Sequence, residues 1–455
     1  MRRLFLIFLL TSRFAFGQDP DSVFVRKMFD MALDKGQSYE NLRSLCKDIG
    51  GRLSGSAGAE MAVYWSENKM KACGFDKVYL QEFKVPHWDR GTKEAAWIKD
   101  EKGDLRKVEV LALGGSVGTN GLLDGELVKF ETLEDLKAAK ASEVQGKIVF
   151  LSQAMDNTQI QTFNAYGGSF PNRGLGAVEA AKKGALAVVI RSLGLPVDEY
   201  PHTGSLIYSD DVKKIPGAAL ATRDAELLAD WLNQGSVDLL LDMNCSELDS
   251  VVSYNVIGEI SGTSNKDEII TVGGHLDSWD VAEGAHDDGA GLMHSLEALR
   301  ILKELDYHPR HTLRVVFFMN EENGGMGGKS YARFASEAGE IHVAAIESDR
   351  GGFTPRGFDI DNGTPSFFEK LQDVVQILRP YELYSFEKGF GGTDINPLKG
   401  FYPEIVLFDF APDSQRYFDF HHTAADVFEN VNKRELEMGC ASMAAMLYLI
   451  DQKLF

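Results

Sequence analysis

The stretch from residue 269 to residue 291, IITVGGHLDSWDVAEGAHDDGAG, constrains the fold of this chain more than any other. Its β-branched start is typical of a buried strand, and the pair Gly273-Gly274 follows, where a backbone can turn sharply and be approached closely. His275 and Asp277 then come just where the strand ends, and an apolar-periodic helix begins after the loop. A strand that passes through a polar, glycine-rich loop into a helix is typical of an open α/β sheet, which carries its functional groups at the carboxyl ends of its strands.

The same loop carries residue types that bind divalent metals. Asp287 and Asp288 follow His275 within a segment that contains several glycines. Imidazole nitrogen and carboxylate oxygen on a backbone that can fold closely around an ion suit a divalent cation. A polar loop that ends in an Asp helix cap would use the same residues, so this stretch alone leaves both interpretations open.

Strands and helices alternate regularly from residue 251 to the end of the chain. Apolar runs with strand character occur at 255–260, 268–272, 312–320, 342–346 and 404–408. Because helical patterns separate most of them, we predict a mostly parallel mixed sheet with helices on both faces, an α/β fold.

The middle of the chain has a different texture, with short strands and glycine turns that begin near residue 103. We found no cluster of metal-ligand residue types there through about residue 242. We therefore predict a discontinuous catalytic domain over 18–104 and 246–455, with a β-rich domain inserted at 105–245.

Composition limits the classes of function. At 455 residues the chain is too long for one ordinary core, and 44% hydrophobic with 25% charged residues is typical of a soluble globular protein. The net charge of −21 argues against nucleic acids and anionic membrane surfaces as partners.

The first 17 residues, MRRLFLIFLLTSRFAFG, combine two early arginines, a short apolar run and small residues near a cleavage position. This pattern predicts a signal peptide at 1–17 and hence a secreted or periplasmic protein. No later stretch is long and apolar enough to predict a membrane span. The four cysteines form no CxxC motif, so disulfides and buried free thiols both stay open.

Acids and imidazoles also follow the ends of the other predicted strands. Glu321 and Glu322 follow one strand, residues 347–349 follow the next, and residues 421–426 follow the last. A buried strand rarely ends in adjacent acids unless cations neutralise them. Their convergence on one edge of one sheet favours a metal site over solvated loop charges. Ser54 and Ser56 lie in no G-x-S-x-G turn and are better explained by loop and helix-capping roles than as nucleophiles.

Five motifs in this order, HLDSWD, GAHDDGAG, NEE, ESD and HHTAAD, resemble those of the co-catalytic zinc exopeptidases, which include bacterial zinc aminopeptidases and glutamate carboxypeptidase. Within that superfamily the spacing is most similar to that of the carboxypeptidase Q group. The resemblance extends over nearly all of the mature chain, and it implies that the inserted region is a protease-associated domain.

The resemblance also implies two zinc ions and assigns their ligands. The implied ligands are His275 and Asp349 on one ion, Glu322 and His422 on the other, and Asp287 between the two. It further implies Glu321 as the general base, Asp277 as the acceptor that fixes the tautomer of His275, and a cis peptide between Asp287 and Asp288.

Three positions remain open at this stage. His421 could replace His422 as ligand, although the H-T-x-x-D pattern favours His422 and leaves His421 as a cavity wall or substrate contact. Asp288 could replace Asp287 between the ions. His286 departs from the apolar residue usual in the relatives and is either a pocket residue or a neutral loop histidine.

Charge and resemblance together suggest a mechanism. Two zinc ions against three carboxylates leave one positive charge, which a bridging hydroxide would neutralise, with Glu321 taking the proton of the water. The resemblance implies a dipeptidase or exopeptidase that acts on short peptides with free ends. Asp394, in the glycine loop 389–394, is either a contact for a free amino group or part of an ordinary turn.

Other functions compete with this interpretation. A zinc aminopeptidase for longer peptides would use the same residues, and a non-catalytic binding protein on a peptidase scaffold would have lost ligands that are present here. A calcium-stabilised adhesion module fits the acids but not His275 and His422, because calcium prefers oxygen ligands. The sequence leaves open whether two copies form a homodimer.

Overall fold

A computed structural model describes residues 19–92 and 94–455, so the predicted signal peptide at 1–17 lies outside the described residues. The described chain contains twelve α-helices. They are α1 Pro20–Lys35, α2 Ser38–Asp48, α3 Ala57–Ala72, α4 Leu133–Ala138, α5 Ala141–Val144, α6 Thr162–Lys182, α7 Thr222–Leu232, α8 Ala290–Glu304, α9 Met326–Glu337, α10 Pro365–Leu378, α11 Tyr417–Phe420 and α12 Lys433–Leu449.

Sixteen strands accompany these helices in the described ranges. They are β1 Lys77–Asp89, β2 Glu94–Asp100, β3 Leu105–Val108, β4 Val110–Ala112, β5 Leu123–Phe130, β6 Ile148–Leu151, β7 Ala187–Arg191, β8 Gly217–Leu220, β9 Val237–Met243, β10 Ser246–Ile260, β11 Asn265–His275, β12 His311–Phe318, β13 Ile341–Glu347, β14 Pro355–Asp361, β15 Ser385–Lys388 and β16 Val406–Pro412.

The main sheet has eight strands in the order β1-β10-β12-β11-β13-β16-β14-β15. Its four central strands, β12, β11, β13 and β16, are parallel. On one side β10 pairs antiparallel with both β12 and β1, and on the other side β14 pairs antiparallel with β16 and parallel with β15. The mostly parallel mixed sheet predicted from the sequence is confirmed. Its parallel centre brings the carboxyl ends of four strands to one edge, where open α/β sheets bind ligands.

Helices cover both faces of this sheet. In the fully buried strand β12, Val315 and Phe317 belong to one core, which also contains apolar residues of α1, α2, α8 and α12. Val316 and Phe318 belong to a second core, with Tyr331 of α9. Because both faces are covered, the strand is a continuous apolar run, LRVVFF with one buried arginine, rather than an alternating pattern.

A second sheet lies in the middle of the chain, with the strand order β3-β2-β9-β5-β6-β7-β8-β4 and helices α4 to α7 beside it. We call residues 94–243 the inserted module. The sheet begins at Glu94, so the boundary expected at residue 105 lies inside it. The sequence did not indicate this because β2 pairs with β9, a strand from a distant part of the chain.

Two further expectations can be compared with the structure. All four cysteines are unpaired, and three of them are buried, so the described chain contains no disulfide. Within the described ranges, no helix combines the length and apolarity that a bilayer crossing requires.

Candidate metal centre and active site

The carboxyl ends of the parallel strands bring the motif residues together. His275 is the last residue of β11, Glu321 and Glu322 follow β12, and Asp349 follows β13. The chain after β16 passes through α11 and returns as His421 and His422. These six side chains, which end or follow four strands, meet at one edge of the main sheet.

Asp288 fastens the metal-binding loop to the end of β11. Its two carboxylate oxygens accept the backbone N–H groups of His275 and Gly291, each at 3.0 Å. A Cβ atom on Gly274 would lie 2.2 Å from that carboxylate, so the close approach requires glycine. The peptide between Asp287 and Asp288 is cis, as predicted. Asp288 is therefore occupied with backbone amides, and the geometry favours Asp287 over Asp288 as the residue between two ions.

One half of the donor cluster surrounds His275. Its Nε2 atom lies 3.1 Å from Asp287 Oδ1 and 3.3 Å from Asp349 Oδ1. All three donor atoms fall within the spacing that a single cation spans. Burial lowers the pKa of His275, but the charges of Asp349 and Asp287 outweigh it and raise the pKa well above its ordinary value.

The other half of the cluster surrounds His422. Its Nε2 atom lies 3.2 Å from both Asp287 Oδ2 and Glu322 Oε2. Burial lowers the pKa of His422, but these two carboxylates raise it to about 9. His421 stacks on His422 with ring centroids 3.5 Å apart, and its Nε2 atom lies 3.8 Å from Asp287. Of these two adjacent histidines, only His422 contacts two acids, which favours it as the ligand. His421 lines the cavity wall and lies within metal-donor spacing of Asp287 and His422.

The unsatisfied atoms of this cluster fit a metal centre. Asp287 Oδ2, Glu322 Oε1 and Asp349 Oδ1 are buried and make no hydrogen bond within the described structure. Two of these oxygens approach a histidine nitrogen within 3.3 Å without hydrogen-bond geometry. Buried carboxylates without partners are strongly destabilising, and lone pairs that converge on one point are satisfied by a shared cation. The nitrogen and oxygen donors are those that zinc prefers.

The role implied for Asp277 needs a correction. His275 Nδ1 bonds to the main-chain carbonyl of Asp277 at 2.9 Å, whereas the Asp277 carboxylate is 3.8 Å away. That carboxylate instead accepts the backbone N–H groups of Asn320, Glu321 and Glu322 at 2.7 to 3.3 Å. The tautomer of His275 is thus set by a peptide carbonyl, and the Asp277 side chain holds the loop that carries Glu321 and Glu322.

Glu321 lies at the wall of a cavity next to the donor cluster. Burial raises the pKa of Glu321 well above its ordinary value, and the charges of Asp349 and Glu322 add to this, against the opposing effect of His275. A carboxylate with a raised pKa beside a metal centre can accept and return a proton near neutral pH.

Arg52 and Asp426 stabilise the loop through backbone contacts that the sequence did not indicate. The fully buried Arg52 donates to the carbonyls of Leu276, Glu283 and Gly284 at 2.6 to 2.9 Å and so joins both ends of the loop. Asp426 accepts the N–H groups of residues 286 and 287 at 2.7 and 3.1 Å. The HHTAAD motif contains Asp426, but no sequence signal distinguished Arg52 from an ordinary loop residue.

The cavity has a volume of about 750 Å³ and is lined both by the donor cluster with Glu321 and by the inserted module. The module contributes an aromatic wall with one cation, formed by Phe163, Tyr166, Phe170 and Arg173 of α6. A cavity of this size encloses a ligand of a few residues.

The inserted module also contacts two of the predicted metal ligands, His422 and Glu322, directly. Thr203 makes two backbone contacts with His422. Its carbonyl oxygen lies 3.3 Å from His422 Nδ1, and its N–H group donates to the His422 carbonyl at 3.0 Å. Ser205 Oγ donates to the carbonyl of Glu322 at 2.7 Å. The module therefore helps to position the half of the cluster that contains Glu322 and His422.

Two other expected positions lie apart from the cavity. Asp394 is 1% exposed and does not line the cavity, so the geometry does not support a contact between its carboxylate and a substrate amino group there. His286 stacks on Phe353 with centroids 4.3 Å apart, accepts from the amide of Gly352 and bonds to the carbonyl of Asn430. Burial lowers the pKa of His286 to about 4, so it is the neutral loop histidine of the two alternatives.

Comparison with known proteins agrees with this site. The model of peptidase family M28 matches residues 255–447, which include the whole donor cluster. The carboxypeptidase Q of Xenopus laevis is 36% identical over 409 residues, which cover 88% of this chain and 83% of the relative.

Solved structures extend the likeness to most of the chain. The peptidase M28 precursor of Shewanella amazonensis is 32% identical, with a TM-score of 0.91 over 96% of this chain and 97% of that one. A zinc aminopeptidase of Bacillus subtilis, BSAP, is 22% identical, with a TM-score of 0.62 over 90% and 93% of the two chains, and shows the shared fold. The chain therefore belongs to peptidase family M28 and is a zinc-dependent metallopeptidase of that family.

Proposed function

We propose that this chain is an exported dizinc peptidase that hydrolyses dipeptides or short peptides with free ends. The observation that carries the proposal is the position of Asp287, whose two carboxylate oxygens face two separate histidines, His275 and His422. One carboxylate shared by two donor sets is the arrangement that co-catalytic two-metal hydrolases use.

His275, Asp287 and Asp349 would hold one zinc ion, and Asp287, Glu322 and His422 the other. Bound zinc supplies acidity that ionises water near neutral pH and polarises the scissile carbonyl. The three carboxylates leave part of the positive charge uncompensated. This residual charge favours the oxyanion that develops on the carbonyl during attack.

Glu321 would act as the general base and then as the general acid. Its backbone is fixed by the Asp277 carboxylate at 3.0 Å, and its side chain lies at the cavity wall. It would accept the proton of the attacking water and return it to the nitrogen of the scissile bond, so that the leaving group departs as a neutral amine rather than as an amide anion.

Arg173 supports substrates with a free carboxyl end. Its side chain is 4% exposed, lines the cavity and forms no ion pair with any acid in the described ranges. Among the residues that the structure describes, it hydrogen-bonds only to the hydroxyl of Tyr166 at 2.5 Å and the carbonyl of Thr203 at 3.4 Å, and its Nε has no partner there. A buried guanidinium without a counter-ion is suited to bind a substrate carboxylate.

The test is a substrate panel on zinc-loaded protein with Ala-Leu, its C-terminal amide, and peptides lengthened by one and by three residues. We expect the free dipeptide to have the highest kcat/KM and amidation to lower it by about 10- to 100-fold. In Arg173→Met the amide and the free acid should become nearly equal. Hydrolysis that improves with length would favour the aminopeptidase alternative, and no hydrolysis of any peptide by zinc-loaded protein would refute the proposal.

A further inference from the structure

Strand β16 brings an additional carboxylate, Asp409, into the cavity. Asp409 is 5% exposed, lines the cavity and has one oxygen, Oδ1, without any hydrogen-bond partner in the described structure. The sequence motifs do not include this residue. Its other oxygen, Oδ2, pairs with Arg350 Nη2 at 2.5 Å.

Negative charge exceeds positive charge around Asp409. In the sheet register Asp409 lies beside Glu347 of β13 and Asp359 of β14. The three carboxylates therefore form a row across three neighbouring strands on one face of the sheet. Arg350 pairs with Asp359 at 2.7 Å as well as with Asp409, and its guanidinium lies over the ring of Phe163. One guanidinium thus serves two carboxylates.

The third carboxylate of this row is already satisfied. Glu347 accepts the backbone N–H groups of Thr393, Asp394 and Ile395 at 2.8 to 2.9 Å. Outside the donor cluster, Asp409 Oδ1 is therefore a carboxylate oxygen at the cavity wall that accepts no hydrogen bond within the described structure. A buried anionic acceptor without a donor is costly, and a cationic donor from a ligand would satisfy both its charge and its lone pair.

We propose that Asp409, oriented by Arg350, forms a subsite that binds an ammonium group of the substrate. The proposal rests on the proposed peptidase function and adds a specificity residue to it. The ammonium could belong to the free α-amino group or to a lysine side chain, because both present the same charged N–H donors.

The position of Arg173 gives the cavity opposite charges on two sides. Asp409 lies on the strand next to β13, which leads to Asp349, and Arg173 lies against Gly204 on the side of His422. A short peptide with an ammonium at Asp409 and a carboxylate at Arg173 would place its backbone across the donor cluster. Such a ligand matches the cavity in charge at both ends.

The test measures equilibrium binding by calorimetry to zinc-loaded Glu321→Gln protein, so that turnover does not enter. One ligand pair is Ala-Leu and propionyl-leucine, which differ only in the α-amino group. The other pair is Lys-Leu and norleucyl-leucine, which differ only in the side-chain amine. We expect Asp409→Asn to lower the preference for the amine by about 10- to 100-fold in one of the pairs, which identifies the source of the ammonium.

The matched control is Asp359→Asn, which also removes an Arg350 partner but does not line the cavity. The Asp359→Asn variant should keep the preference for the amine. The Asp409→Glu variant, which keeps the carboxylate, should retain most of that preference. Asp409→Ser provides a second neutral variant if the Asn variant does not fold. An unchanged preference in Asp409→Asn, or an equal loss of affinity for both members of each pair, would overturn the subsite. Zinc content and hydrolysis by the unmutated protein test the proposed function separately.

Discussion

The Nδ1 atom of His422 lies 3.3 Å from the main-chain carbonyl of Thr203, a residue of the inserted module. Between Thr203 and Ser205 stands Gly204, with a φ of +125°. A Cβ atom there would lie 2.8 Å from His422 Nδ1 and 2.4 Å from Arg173 Nη1. The module therefore packs against the predicted metal ligand His422 so closely that position 204 has no room for a side chain.

Gly204→Ala should disturb the half of the metal centre that contains His422. We expect zinc affinity in that half and kcat to fall by about 10-fold or more, the usual effect of displacing a partner of a metal ligand. Zinc titration followed by kinetics on a dipeptide measures both. Gly103→Ala is the control, because Gly103 also has a positive φ of +87° but no heavy atom within 4 Å of the added Cβ. Equal zinc binding by the two variants would contradict the prediction.

Glu321→Gln should separate catalysis from metal binding. The amide keeps the size of the side chain but cannot accept the proton, so we expect kcat to fall by about 10²- to 10⁴-fold while zinc content stays at the unmutated level. His275→Ala removes a donor that lies within 3.3 Å of two acids and should lose zinc as well as activity. Elemental analysis of zinc content with parallel kinetics distinguishes the two variants. Full activity in Glu321→Gln would exclude Glu321 as the general base.

Asp277→Ala should damage the loop of Glu321 and Glu322 more than the environment of His275. The substitution leaves three buried N–H groups without an acceptor, which we expect to lower the free energy of unfolding by about 2 to 5 kcal/mol and to reduce kcat. Because His275 Nδ1 bonds to a peptide carbonyl, its zinc affinity should change less than that of the half with Glu322. Denaturant unfolding and zinc titration test this, and selective loss of zinc at His275 would restore the role first implied for the carboxylate.

Glu340→Gln should lower stability in a pH-dependent way, far from the metal centre. Burial would raise the pKa of Glu340, but hydrogen bonds from His342 and Arg314 outweigh it and lower the pKa from 4.5 to about 2. A lowered carboxylate pKa stabilises the fold above the unfolded value and loses that contribution as pH falls from about 4.5 toward 2.

We therefore expect Glu340→Gln to be less stable by about 1 to 3 kcal/mol at pH 7, with a smaller difference at pH 4. Urea unfolding across this pH range measures the difference. Glu337→Gln removes an exposed partner of Arg333 and should change stability little at any pH. A difference for Glu340→Gln that does not shrink toward pH 4 would contradict the assignment.

The sequence could propose donor residues because metal-binding chemistry depends on residue type. His275, Asp287, Glu322, Asp349 and His422 do lie within contact distance of one another at one edge of the sheet. Inference from residue types did not predict the contacts that the backbone makes with the two histidines. The main-chain carbonyls of Asp277 and Thr203 orient His275 and His422. Every residue type has a main-chain carbonyl, so such a contact does not select a particular residue in the sequence.

By itself, the sequence determined the α/β class, the order of the motif residues and the family to which they belong. It did so because buried strands need apolar side chains and metal centres need nitrogen and oxygen donors, and both requirements select residue types. Only the tertiary structure decided that the second sheet begins at Glu94, that Arg52 joins the ends of the metal-binding loop, and that Asp409 has an unused oxygen at the cavity wall. These features depend on pairings between distant segments, and a local pattern does not contain the identity of a distant partner.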